Sequence, residues 1–420
     1  MFSPTKLFKK IGPGVITGAS DDDPSGIATY SQTGATYGYQ FLWLSLFTTP
    51  LMMAAQEMSA RLGMVTGRGL AGILRKHASV KVVFVLAWLL FLVNTVNIGA
   101  DLGAMAEAVK LVLPGPTWAY LAFFAVVIAM LEIFVSYKKY VNVLRWLTLV
   151  LFSYVIAAFF TKQDWALALK DTVIPTFQSG REMWMLIVAI LGTTISPYLF
   201  FWQTSEEVEE EIAQGRSSLK KRRGATKKEI TSMRREVVTG MLLSNIVMFF
   251  IIITTAGTLH SVGITNIQTA GQAAEALRPL AGNLTFLLFT IGIIGTGLLA
   301  IPILAGSASY ALAEVFGWKE GLSKNYRQAH SFYLAIAVSV VLGLLSNVAG
   351  LSPIQFLVFA AVLNGLLAPV MLWYIVRLAD QKDVVGTHVS TPLIRFFGWL
   401  CFILMAGAAL TLIGNVAFIR

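Results

Sequence analysis

The sequence has little charge, one cysteine and four histidines in 420 residues. Asp, Glu, Lys and Arg make up 13% of it, about half of the ~25% usual in soluble domains. With 56% hydrophobic residues, that deficit excludes an ordinary soluble enzyme and a disordered chain. The lone Cys401 excludes an internal disulfide and a cysteine metal cluster. A cleavable signal peptide is missing too: after MFSPTKLFKK come Gly, Pro and then three acids, with no apolar core and small-residue cleavage site. No catalytic residue and no resident cofactor is expected.

What is present is a series of apolar stretches from residue 11 to the C-terminus, each long enough for the ~20 residues that cross a bilayer as helix. The expected class is an all-α polytopic membrane protein, a single transmembrane domain over 1–420. Eleven spans are expected near 11–37, 41–62, 81–112, 117–136, 140–160, 182–212, 236–258, 284–314, 329–347, 352–376 and 392–417. The net charge is +10, which in a soluble protein would raise the question of nucleic acid; here the position of the charge matters. With the N-terminus in the cytoplasm, 26 of the 32 basic residues fall on the inner side. They include Lys6, Lys9, Lys10, Lys138, Lys139, Arg145 and nine from Arg216 to Arg235. Lys110, Lys162, Lys170, Arg181, Arg278 and Arg420 remain outside. That asymmetry fixes the orientation, puts the C-terminus outside and fits eleven spans. The run KKRRGATKK reads as an anchor facing cytoplasmic lipid. Absence of targeting tails points to a bacterial inner (plasma) membrane.

Spans 1 and 6 each carry a central proline, Pro24 and Pro197. Each proline removes a backbone donor and frees a carbonyl four residues earlier, Ser20 and Thr193. The preceding residues, Asp23 and Ser196, are pushed out of helical geometry. Two interrupted, oppositely directed helices in corresponding places suggest a 5+5 inverted repeat, 11–160 and 182–376, with 392–417 appended. Simple kinks would not explain the polar residues at the breaks: Asp21, Asp22, Asp23 and Ser25 at the first, Thr193, Thr194 and Ser196 at the second. Acids at mid-membrane are costly and mark function. No basic residue lies near either break, so a cation fits and an anion does not. Carboxylates, carbonyls and hydroxyls are hard donors suited to Mg²⁺, Mn²⁺ or Ca²⁺.

At these residues the chain resembles the NRAMP divalent-metal transporters. The stretch GPGVITGASDDDPSGIATYSQTGATYGYQFLWLSL, then QEMSARLGMVTGRGL, carries the resemblance. It runs on through QDW at 163–165, span 6 and Asn245, over essentially the whole chain, with weak single matches after Gly67. The resemblance implies a LeuT-type fold with alternating access. It also places the acidic metal ligand at Asp23 and backbone ligands at Ser20 and Thr193. Two departures stand out. The family's Asp-Pro-Gly-Asn is here Asp23, Pro24, Ser25, Gly26, and its Met-Pro-His is Ser196, Pro197, Tyr198. Losing an amide and a thioether leaves a roomier, harder site of Asp23, Ser20, Thr193, Ser196, Gly26 and Asp22. That pattern is similar to the NRAMP-related magnesium transporters, which carry Mg²⁺ and Mn²⁺.

The family's proton coupling uses the span 6 histidine and an acidic pair on span 3. Here those positions are Tyr198, Asp101 and Ala104, and all four histidines fall in loops or at span ends. Uncoupled import is therefore expected, with the divalent cation as substrate, the bilayer as surroundings and no nucleic-acid partner. Glu57 with Arg61, and Glu107 with Lys110, read as structural pairs at helical spacing. Asn245 and Asn364 read as interhelical hydrogen bonders, although some family members place an amide ligand on span 10. The run 205–211, SEEVEEE, reads either as an inner vestibule or as a solvated helix end. Four competing readings remain: a proton-coupled Mn²⁺ or transition-metal symporter, an aluminium carrier, a sodium-coupled amino-acid symporter and a non-transporting membrane sensor. Three acids at the break oppose a carboxylate substrate, and the few residues after span 11 leave no output domain.

Overall fold

The computed structural model describes residues 12–135, 151–177, 180–349 and 352–418. Lys6, Lys9, Lys10, Lys138, Lys139, Arg145, Arg420 and the first half of the expected fifth span lie outside them. The chain is helical throughout the described residues. The longer helices are α1 Pro13–Asp21, α2 Pro24–Tyr37, α3 Leu42–Thr66, α4 Leu70–His77, α5 Val80–Lys110, α6 Thr117–Phe134, α7 Phe152–Phe160 and α8 Trp165–Val173. They continue as α9 Arg181–Thr194, α10 Pro197–Ala213, α11 Lys227–Thr258, α12 Thr285–Phe316, α13 His330–Ser346, α14 Pro353–Ala379 and α15 Pro392–Phe418.

Helix ends follow local chemistry. Ser79 and Ser352 cap α5 and α14 by accepting a backbone N–H. Thr226 and Glu229 form a reciprocal capping box. That box starts α11 nine residues before the expected 236, because the cap and the buried Ile230 and Met233 hold the stretch 227–235 as helix. The short α8, capped by Asp164, was not among the expected spans.

Both expected breaks are present. Pro24 and Pro197 each occupy the first turn of a new helix, after two non-helical residues. Proline alone does not open such a break, since Pro50, Pro302 and Pro369 sit inside continuous helices. Among the described residues seven helical stretches are long and apolar enough to cross a bilayer. They match expected spans 3, 4, 6, 7, 8, 10 and 11. Of the other four, the first is broken and polar, the second is a 25-residue helix with Gln56, Glu57 and Arg61 in it, the ninth has 17 residues, and the fifth is described only in part.

The α5 helix packs against α12, α13 and α14. Two crossings mirror each other. On the side assigned as inner, α1 lies against α11 and α10 lies against α3. Each is a backbone-to-backbone approach. A Cβ on Gly18 would come within 2.3 Å of Gly240, and one on Gly63 within 2.3 Å of the Thr204 carbonyl. Only glycine lets these backbones approach so closely.

Candidate functional site

The two breaks meet in the centre of the molecule, and their polar residues are at most 3% exposed. Asp23 is the N-cap of α2. Its Oδ1 accepts from the Ser25 hydroxyl at 2.6 Å and the Gly26 N–H at 2.7 Å. Its Oδ2 accepts from Asn97 Nδ2 on α5 at 3.0 Å and faces the Tyr198 hydroxyl at 3.5 Å. Tyr198 Oη also lies 3.4 Å from the Ser20 carbonyl. One phenol proton serves two long contacts, so neither acceptor is firmly occupied.

The second break is capped in the opposite sense. The Ser196 hydroxyl turns back onto the carbonyls of Gly192 and Thr193, both at 2.6 Å. It has one proton for two acceptors, so one carbonyl is always left open. Tyr30 on α2 joins the breaks, with its hydroxyl 3.2 Å from those of both Thr193 and Thr194. Gly26 is tight as well as small: a Cβ there would sit 3.3 Å from the Asp21 carbonyl. The asparagine of the family signature would press on the first break.

Asp21 and Asp22 turn elsewhere. Ser244 on α11 donates to Asp21 Oδ2 at 2.5 Å and lies 3.3 Å from Asp22 Oδ1. The structure therefore brings together Asp23, Ser20, Gly26 and, through Tyr30, Thr193, with Ser196 at the neighbouring break. It places Asp22 beside them toward α11. Among the described residues no three His, Cys, Asp or Glu side chains converge on one point. Several buried oxygens at the crossing have no hydrogen-bond partner there: Asp21 Oδ1, Asn97 Oδ1 and both oxygens of Asp101. Asp101 is fully buried and close enough to Asp23 for their charges to interact. Buried oxygens without a hydrogen-bond partner call for an explanation.

Sequence reasoning missed Asn97 and the contribution of Tyr198. The signal for Asn97 was present: Asn94, Asn97 and Asp101 follow i, i+3, i+7, one face of a helix. Met248 on α11 was missed as well. Its sulfur lies 3.9 Å from the Thr194 hydroxyl, although position 196 carries no thioether.

Around the site, Glu57 and Arg61 pair at 3.1 Å and Glu107 and Lys110 at 3.0 Å, as their spacing indicates. Asn245 bonds across to α3 through the Thr48 hydroxyl at 3.3 Å and Met52. Asn364 departs from its expected role. Both polar atoms of its amide are buried without a hydrogen-bond partner among the described residues. The acidic run is not a solvated helix end throughout: Glu207 and Glu211 are buried, and Glu207 accepts from Gln203 at 2.8 Å. Glu211 pairs with Arg216 of the basic loop, and Glu209 accepts from Tyr310 at 3.1 Å. The four histidines lie at helix ends or in connections.

A cavity of about 640 Å³ lies toward the assigned outer side, between α2, α9, α14 and α15, with Gln32, Met185 and Val358 in its walls.

A family model described as natural resistance-associated macrophage protein-like matches residues 14–415. A divalent metal cation transporter MntH of Klebsiella pneumoniae (strain 342) is 25% identical over 398 residues, covering 93% of this chain and 90% of that protein. The protein of the same name from Yersinia pestis (strain Pestoides F) is 25% identical over 412 residues, covering 94% and 92%. The crystal structure of an Eremococcus coleocola manganese transporter, bound to an aromatic bis-isothiourea compound, is similar with a TM-score of 0.76. It is 16% identical and covers 100% of this chain and 90% of that one. MHP1, a nucleobase-cation-symport-1 family transporter, is similar at a TM-score of 0.57 and 15% identity, covering 97% and 93%. The likenesses to the two solved structures show a shared fold.

Proposed function

The chain belongs to the natural resistance-associated macrophage protein-like family, and from that premise we propose that it carries divalent cations across a membrane, Mg²⁺ first and Mn²⁺ second, by alternating access without a coupled proton. In this reading eleven spans form two inverted five-helix repeats, 11–160 and 182–376, followed by 392–417. The N-terminus is cytoplasmic, the C-terminus is outside, and the membrane is the plasma membrane. Relatives named as divalent metal cation transporters support the class of substrate.

One observation carries the choice of ion: buried side-chain oxygens without a hydrogen-bond partner among the described residues gather at the crossing of the breaks, while position 196 is a serine and position 198 a tyrosine. A hard cation that keeps several waters suits few, hard protein ligands. Asp23 Oδ2, the Ser20 carbonyl and the carbonyl left open by Ser196 would touch it, Gly26 adds no side chain at the break, and Asp22 adds charge nearby. An inside-negative potential supplies about 4.6 kcal/mol per 100 mV for a divalent ion, enough to concentrate it without protons.

A second reading, proton-coupled Mn²⁺ symport, draws on two observations. Asp101 is a buried carboxyl without a hydrogen-bond partner among the described residues, and the Met248 sulfur stands one hydroxyl away from the second break.

Mg²⁺ uptake into proteoliposomes, with an internal pH dye read in parallel, separates the two. Uptake with a flat pH trace is the expected result. Acidification that rises with Mg²⁺ would establish coupling, and uptake of Mn²⁺ alone would end the magnesium reading. Ser196→Met is expected to weaken Mg²⁺ uptake and admit softer metals such as Cd²⁺. Selectivity unchanged from wild type would remove position 196 from the site.

A further inference from the structure

Three connections converge on the assigned inner side. They are the α3–α4 turn with α4, the α10–α11 loop and the α14–α15 loop. They enclose a cavity of about 580 Å³. Its walls carry Arg68, Lys76, Arg223 and Lys382, with His77 and His388. Asp383 is the one acid among the residues lining it. Lys76, Arg223 and Lys382 have no ion-pair partner among the described residues, and Arg68 shares only the more distant charge of Glu314 on α12. Arg68 Nε is buried and without a hydrogen-bond partner there. A desolvated guanidinium donor without an acceptor is costly.

The enclosure is built by specific bonds. The Gly224 N–H donates to the Val65 carbonyl at 2.9 Å, and Arg222 Nε donates to the Gly67 carbonyl at 3.3 Å. Arg61 donates to the His388 carbonyl at 2.6 Å. A basic loop that only fixes orientation needs no such cavity. The volume lies within the range of small-molecule sites, and clustered donors of one sign concentrate anions.

We propose that this cavity binds a multiply charged phosphate-bearing anion, from a lipid headgroup or free in solution, and that the bound anion ties the α10–α11 loop to the inner end of α3. Crowding of like charge is already felt: Arg68 and Arg223 push the Lys76 ammonium below its ordinary pKa, and a bound phosphate would relieve that. The tie matters because α10 and α11 carry the two inner glycine crossings. An anion that fastens their connecting loop to α3 favours the state closed on the inner side.

The test uses the full chain, free of divalent cations. Pyrophosphate is titrated calorimetrically into detergent-purified protein. Bound lipid is counted by mass spectrometry after reconstitution with phosphatidylglycerol in phosphatidylcholine. Saturable binding of one probe is expected, and which probe binds identifies the source. The exposed pair Lys76→Gln with Arg223→Gln should weaken it by about tenfold or more, as expected for loss of charge-assisted bonds. Lys227→Gln with Lys228→Gln, outside the cavity, should leave it unchanged. No saturable binding of either probe overturns the proposal. So does an equal loss in both double variants, which would mean diffuse charge.

Discussion

Asp23→Asn is expected to stop cation uptake and leave the fold standing. Asparagine caps a helix as well as aspartate does. Its Oδ1 can keep the bonds from the Ser25 hydroxyl and the Gly26 N–H at 2.6 and 2.7 Å. The change should therefore cost less than about 1 kcal/mol in stability. What disappears is the negative charge facing Tyr198 and the Ser20 carbonyl, where a hard cation would sit. Losing one charged ligand worth about 3 kcal/mol lowers uptake roughly a hundredfold. Uptake in proteoliposomes, beside a melting curve in detergent, measures both effects. A variant that melts like wild type and still transports at its rate would exclude Asp23 as the ligand.

The second large effect is structural. Arg61 is fully buried. Its Nε donates to Glu57 at 3.1 Å, and its terminal nitrogens donate to the Ala379 carbonyl at 3.0 Å, the His388 carbonyl at 2.6 Å and Ser390 Oγ at 2.8 Å. Glu57 also accepts from Arg234 on α11 at 2.8 Å. One guanidinium thus joins α3 to the end of α14 and the loop after it, and through Glu57 to α11. Arg61→Met strands two carbonyls and leaves Glu57 to Arg234 alone, which costs about 3–5 kcal/mol. For a chain of this size the melting temperature should fall by roughly 3–6 °C. Arg61→Lys should recover less than half of that, because an ammonium lacks the planar fork that reaches four acceptors. Full recovery with lysine would reduce the role of Arg61 to its charge.

The breaks were legible in the sequence because proline and its neighbour act on the backbone locally. The polar residues at the breaks marked a candidate site for the same reason, since an acid in an apolar run is visible without coordinates. Helix ends were legible where apolar runs stop; α11 ran past its expected start because a polar capping box held it. What stayed hidden depends on neighbours from distant parts of the chain. Nothing near Asp21 or Asp22 indicates that Ser244, more than two hundred residues on, turns them toward α11. The Glu57–Arg61 spacing gave the pair but not the carbonyls of α14 and the following loop that fix the guanidinium. Asn364 shows the converse, since a polar residue in an apolar span promised a partner that none of the described residues provides.

The glycine crossings bear on how fast such a protein can work. Where Gly18 meets Gly240 and Gly63 meets Thr204, the touching surfaces are bare main chain. Interlocked leucines must change rotamer and leave voids before they part, each step adding to the barrier. Smooth main-chain faces behave more like a plain bearing than a gear. They slide or separate with little enthalpic resistance, and water can follow directly into the gap. The temperature coefficient of turnover should then be shallow, and bulk added at either crossing should act as grit in that bearing, slowing the exchange between states long before it weakens the ion's hold.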